Sequence, residues 1–179
     1  NNLTYLVTDQ PEQAVESLEV LATFYRTLMQ YVELAHISAN DEKAFLQQYI
    51  QTSLGDSHRF DIDLHFEVAN ETELPTMILQ PLIENSVEHG MATVREDGLI
   101  LVNVNSAGDN IILSVEDNGQ GLATTNPDVI FQPGHALFCI RERVSLLYGD
   151  AGSMTVESGA AGGAIVSVSI PNRIMAEAK

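Results

Sequence analysis

Three short segments collect polar side chains that apolar packing does not require. The first is ILQPLIENSVEHG, residues 78–90. Wound as a helix at about 100° per residue, it puts Ile78, Leu79, Leu82 and Ile83 on one side. Glu84 and Glu88 fall opposite, with Asn85 and His89 along one border. Acids in a last turn oppose the helix dipole, so propensity does not explain them. A solvated helix face explains this segment, taken alone, equally well. The second segment is IILSVEDNGQG, residues 111–121. Strand alternation turns Ile111, Leu113, Val115 and Asp117 to one face, and an inward carboxylate is costly unless it meets donors. An exocyclic amine would satisfy it. Gly119 and Gly121 permit positive φ and close approach to a ligand, although an Asp-Asn-Gly turn is also common at strand ends. The third is PGHALFCIRERV, residues 133–144. Gly134 precedes a helix whose first N–H groups form an anion site. Arg141 and Arg143 are two of only eight cationic side chains. They either serve an anion or merely offset acids such as Glu142.

The elements that must position these groups read as follows. Over 11–34, Val15, Leu18, Ala22, Tyr25, Met29 and Val32 repeat at heptad spacing, with Leu21 and Leu28 widening the stripe. That predicts a helix that self-associates as a coiled-coil or four-helix dimer, or one that docks on its own core. A second helix is expected over 41–54, capped by Ala39-Asn40-Asp41 and broken by Gly55-Asp56-Ser57. DIDLHFEV (61–68) alternates as a half-buried strand. Pro75 is expected to open the helix that ends near Gly90. Two strands follow, LILVNVN and NIILSVED, joined at Ala107-Gly108-Asp109. Next come a polar loop over 122–133, a helix over 136–148 with Gly149 as C-cap, and a closing hairpin. The order predicts an α+β two-layer sandwich, with helices on one face of a mixed sheet and two leading helices as a separate module.

Composition narrows the partners. The 179 residues carry 8 Lys+Arg against 25 Asp+Glu, and 8 − 25 = −17. Such a field opposes nucleic acid or an anionic membrane as main partner. The single cysteine, Cys139, excludes an internal disulfide framework or a multi-cysteine metal site. No apolar run reaches about 18 residues, and the opening NNLTYLVTDQPEQ does not read as a signal peptide.

The ordered set ENSVEHG, DNGQG and PGHALFCIRER resembles the ATP-binding domain of sensor histidine kinases of the GHKL superfamily, in its LytS-like branch. That branch shows QPLxENAxxHG, DNGxG and GxGLxNxRxRL, and QPLIENSVEHG and DNGQG match closely. The opening NNLTYL looks like the tail of an HFLFNxLN phosphoacceptor motif, and HRF (58–60) resembles the RF after the branch's second helix. The resemblance implies a two-layer Bergerat-type ATP-binding fold over 58–179, preceded by a partial helical dimerisation segment over 1–57. The accepting histidine would lie four residues before Asn1.

By that resemblance Asn85 holds Mg²⁺ on the ATP phosphates, and Glu84 polarises the attacking group or acts as general base. Asp117 takes the adenine amine, while His89, Gly119 and Gly121 shape the nucleotide site. Residues 122–135 form the lid, and Gly134, Ala136, Leu137, Arg141 and Arg143 meet the phosphates. The implied activity is transfer of the γ-phosphoryl group of Mg-ATP to a histidine. Implied partners are a second copy through the N-terminal helix and a response regulator. The implied setting is the cytoplasmic side of an inner-membrane sensor, attached through an upstream region. Ala136 stands where the branch has its second lid glycine, and Cys139 where it has asparagine. These departures motivate an alternative, a non-catalytic dimeric module of the same fold with weakened ATP binding. A chaperone- or topoisomerase-type ATPase is disfavoured by the short lid. His36, His58 and His65 read as surface residues without metal-ligand spacing.

Overall fold

A computed structural model describes residues 11–54, 59–160 and 162–175. The phosphoacceptor-like opening, the Gly55-Asp56-Ser57 break and His58 lie outside them. Helix α1 (Pro11–Tyr31) begins with proline at its first position and Glu12 in its first turn. It docks on the core through Phe24, with Leu28 and Tyr31 packed beside it. Its heptad stripe faces away from this chain: Val15, Leu18, Tyr25, Met29 and Val32 are all exposed. Two apolar stripes therefore share one helix, and Phe24 stacks on Phe45 at 5.4 Å between ring centroids.

Strand β1 (His36–Ser38) leads into α2 (Ala39–Tyr49), which continues as a π-helical turn over Ile50–Leu54. The cap is Ser38 rather than the Ala39-Asn40-Asp41 of the sequence reading. Its Oγ accepts from Asp41 N at 3.1 Å and donates to the Asp41 carboxylate at 2.7 Å. Strand β2 (Phe60–Glu67) alternates as expected, its Ile62, Leu64 and Phe66 half-buried and its acids exposed.

The third helix starts later than the sequence suggested. Pro75 does not open it; that residue ends β3 (Glu73–Pro75), which pairs antiparallel with β1. Met77 then takes φ 49°, a left-handed conformation that interrupts any helix begun at proline. Helix α3 (Leu79–Asn85) follows with no side-chain cap of its own. A carboxylate from α2 does that work. Glu42, fully buried, accepts from Met77 N at 2.9 Å and Leu79 N at 3.3 Å. After Asn85 the chain widens into a π-helical turn over Ser86–Gly90, closed by Met91 N on Ser86 O at 2.8 Å. The ideal helical wheel therefore stops holding at Asn85, which moves Glu88 and His89 off the faces assigned to them.

The main sheet runs β2-β4-β5-β7-β6, with β4 (Gly98–Ala107), β5 (Asn110–Asp117), β6 (Ser153–Ser158) and β7 (Ala164–Pro171). Only β2–β4 is parallel, Phe60 opposite Gly98; the other pairings are antiparallel. One face presents Ile100, Val102, Val104, Ile111, Leu113, Val115, Val166, Val168 and Ile170, all buried. They meet α3 and α5 (Ala136–Tyr148) in one core cluster that also holds Phe24, Phe45 and Tyr49. The fold is thus the expected mixed sheet with helices on one side. A short helix, α4 (Pro127–Ile130), interrupts the polar loop, capped by Asn126 Oδ1 on Asp128 N at 3.0 Å.

His36 is not the surface residue that its position near a helix end suggested. It is half-buried, its Nε2 3.0 Å from the Tyr148 hydroxyl and its Nδ1 3.6 Å from Glu73. His65 is exposed.

Burial pushes Glu42 up from an ordinary 4.5 to about 7, against the N–H groups of Met77, Leu79 and Ile78 and the charge of Arg143. Because the folded value is the higher one, the folded chain binds more protons between the two. The contribution is present in full below 4.5 and is lost as pH rises through 7, an expected fall of roughly 3 kcal/mol. Urea unfolding between pH 5 and 8 should show that slope, and Glu42→Gln should remove it; identical slopes in both proteins would contradict the burial argument.

Candidate functional site

The site is assembled where β5 runs out. Alternation carries Asp117 onto the buried face, where it is 4% exposed. Its Oδ1 accepts from Gly119 N at 2.9 Å. Among the described residues its other oxygen takes no hydrogen bond, and no cationic side chain pairs with it. Asp117 is therefore an acceptor with capacity left over.

Two close approaches make room for it. A Cβ on Gly90 would lie 2.6 Å from the Asp117 carboxylate, and one on Gly119 would overlap the Gly90 carbonyl. Side chains at either position would separate the end of the π-helical turn from the strand end. Gly121 serves differently, at φ 77°, where the backbone takes a left-handed step. Gln120 fastens the two segments, donating from its backbone N to Gly90 O at 3.1 Å and from Nε2 to His89 O at 2.8 Å. Asn118 holds the turn from behind, accepting from Leu99 N at 2.8 Å and donating to Asp97 O at 3.0 Å. The ENSVEHG and DNGQG segments, about 30 residues apart in sequence, are one unit.

On α3, Glu84 is exposed and Asn85 half-buried. Glu84 Oε1 accepts from the Tyr49 hydroxyl at 3.0 Å and from Gln80 Nε2 at 3.1 Å. The Asn85 amide makes no hydrogen bond to a described residue. Glu88 and His89 are exposed beyond it.

The third segment lies on the exposed side. Gly134 (φ 99°) and His135 lead into α5, whose first turn no side chain caps. Phe138 N and Cys139 N donate to His135 O, and the N–H groups of Ala136 and Leu137 remain available to an anion. Ala136 is exposed with an ordinary φ, so the backbone there does not demand a glycine. Leu137 is buried, and Cys139 is exposed. The two arginines diverge. Arg141 stacks on Phe131 of the 122–135 loop at 4.4 Å. Arg143 instead lies close enough to Glu42 and Tyr148 to pull down both their pKa values. A polar cavity of about 460 Å³, lined by Arg141, Glu142, Ser145, Asp150 and Met154 among others, opens between α5 and β6, and Asp117 does not line it.

Residues 70–174 match the family of histidine kinase-, DNA gyrase B- and HSP90-like ATPases. The chain belongs to that ATPase family. Among family members it is 30% identical to the sensor protein LytS of Streptococcus mutans over 167 residues, 88% of this chain and 29% of LytS. It is 27% identical to the sensor histidine kinase BtsS of Escherichia coli over 127 residues, 66% of this chain and 21% of BtsS. The chain thus spans under a third of these relatives. The catalytic domain of histidine kinase ThkA superimposes with a TM-score of 0.61 at 16% identity, covering 78% of this chain and 95% of that domain. Acinetobacter baumannii histidine kinase AdeS gives 0.60 at 19% identity, covering 94% and 83%.

Within this ATPase fold, sequence reasoning named Asp117, Gly119 and Gly121 but missed Gly90, Gln120, Tyr49 and Glu42. Gly90 was legible, since a glycine after a helix facing an inward acid has few other uses. Tyr49 and Glu42 left no signal, because their partners lie 35 residues or more away. Gly90→Ala is expected to cost about 1–3 kcal/mol of unfolding free energy in urea, its methyl having nowhere to go but the Asp117 carboxylate. An unchanged midpoint would show that this approach is looser than drawn.

Proposed function

We propose that the chain binds Mg-ATP and forms the catalytic part of a two-component sensor histidine kinase, passing the γ-phosphoryl group to a histidine. The observation that carries this reading is Asp117, a buried carboxylate with an unfilled acceptor position beside two glycine approaches. The adenine amine is the donor it suits, and the left-handed step at Gly121 shapes the wall for the ring. His89 borders the same site. Gly134, Ala136 and Leu137 offer the first turn of α5 to the phosphates, and Arg141, stacked on Phe131 of the lid, brings charge to them. Arg143 remains part of the expected set, although its charge faces Glu42.

The donor set fits a magnesium ion that travels with nucleotide. Among the described residues no group of three or more His, Cys, Asp or Glu could hold a metal alone. Asn85 offers one hard, unengaged oxygen, which suits a cation that takes its other ligands from phosphate and water. When bound, the ion supplies neutralisation of charge on the phosphates. Glu84 takes the proton of the attacking imidazole or polarises it.

The dimer, response regulator and membrane setting belong to the same proposal. The division at 57/58 sets the helical segment 1–57 against the ATP-binding part 58–179, with Tyr49 and Glu42 reaching across. The exposed stripe on α1 is the surface for a second copy, since this chain leaves it uncovered. Upstream sequence supplies the membrane attachment; no described helix is long and apolar enough to cross one.

Titration with a fluorescent ATP analogue in Mg²⁺ tests the carboxylate. Asp117→Asn should weaken binding roughly 10- to 100-fold, the equivalent of losing about 1.5–3 kcal/mol; wild-type affinity in that variant would sink the adenine assignment. For the dimer, Leu18→Glu combined with Met29→Glu should convert a dimer to monomer in sedimentation, with the spectroscopic fold retained. A wild-type chain that sediments as a monomer at high concentration would refute that part.

A further inference from the structure

The reading of Glu84 as the group that handles the imidazole proton makes its orientation matter, and the following inference rests on that reading. Glu84 stands exposed on α3, where a free glutamate samples several rotamers. Here one oxygen is tied down. Gln80 Nε2 donates to Oε1 from one turn earlier, but Gln80 rides on the same helix and moves with it. Tyr49 comes from α2, and its hydroxyl donates to the same oxygen at 3.0 Å. Oε2 takes no hydrogen bond among the described residues.

Tyr49 is itself well fixed. Its ring is buried, 6.3 Å from Phe24, and sits in the shared core. Burial, and then the charge of Glu84, push its phenol above the ordinary 10, so it keeps its proton and stays a donor at any working pH. Seven residues earlier, on the same side of α2, Glu42 receives the N–H groups of Met77 and Leu79 at the start of α3. Helix α2 therefore grips α3 at two places: its first turn and its acidic side chain.

We propose that Tyr49 is a positioning residue whose hydroxyl, carried by α2, locks Glu84 through Oε1 and leaves Oε2 as the oxygen that takes the proton. In the transfer, the imidazole nitrogen bonds to the γ-phosphorus as the bond to the departing ADP oxygen breaks. The proton released from the imidazole passes to Oε2. Tyr49 exchanges no proton; it sets the direction of the carboxylate.

The test uses full-length protein with its own phosphoacceptor, in four forms: wild type, Tyr49→Phe, Glu84→Gln and the double variant. Phenylalanine keeps the ring and its packing. Tyr49→Phe should lower the phosphotransfer rate constant roughly ten- to a hundredfold, the scale of a small misplacement. Its affinity for the fluorescent ATP analogue should not change. In the Glu84→Gln background the same substitution should change nothing further, because a locked partner is already gone. An equal loss in both backgrounds would overturn the inference by showing a purely structural tyrosine. A wild-type rate in Tyr49→Phe beside a slow Glu84→Gln would overturn the positioning role and leave Glu84 standing. A wild-type rate in Glu84→Gln would overturn both, and the failure would then lie in the reading of Glu84.

Discussion

A carboxylate that sits on the apolar face of a strand constrains everything placed around it. Leaving such a group without donors in a low-dielectric interior costs several kcal/mol; the chain near Asp117 supplies one donor and leaves an acceptor position open. Gly119 returns its N–H to Oδ1 within two residues. Gly90 contributes by lacking a side chain, and Gln120 closes the seam between helix end and turn. The π-helical turn before Gly90 follows from the same constraint: it swings the chain so that the Gly90 carbonyl meets Gly119 and Gln120. A regular α-helix over this stretch would direct that carbonyl elsewhere.

The charge distribution sharpens the point. With a net charge of −17, the chain repels anions at long range, so any attraction for one would have to be local. An uncapped helix start and Arg141 beside the 122–135 loop are local in this sense. Arg141 rests on Phe131 of the 122–135 loop, and no described carboxylate forms an ion pair with it. Arg143 takes the other direction and moderates a buried acid at the base of α3. One helix thus distributes its cations between the 122–135 loop and the interior scaffold.

What the amino-acid order revealed, and what it hid, divides along the distance between partners. Alternation in β2, β4, β5 and β7 was visible because neighbours two apart carry it, and the inward turn of Asp117 came with it. The extent of α5 was legible from its apolar spacing and from Gly149. Pro75 misled, since proline suits the end of a short strand as well as a first helical turn, and pairing with His36 decided between them. The stripe on α1 was read correctly as apolar, but which of two adjacent stripes docks inside depended on Phe45 and Tyr49. The contacts of Glu42 and Tyr49 had no local trace at all. Each joins groups across two helices, and no window of sequence contains both ends.

The one parallel pairing of the main sheet, β2 with β4, encloses α3 within its crossover. Both ends of that connection are anchored in strands, and the helix's apolar side is sealed against them. On this flank the element is stiff: sliding it would expose core. Toward α2 the attachment near Glu84 is a hydrogen bond at the water's edge, which solvent can replace at a net cost of about 1 kcal/mol. The short helix is therefore held toward α2 more firmly at its start, where buried Glu42 takes the N–H groups of Met77 and Leu79, than at Glu84. A small shift of α2 would be felt first at the Glu84 carboxylate, while the buried Glu42 contact and the sheet still held.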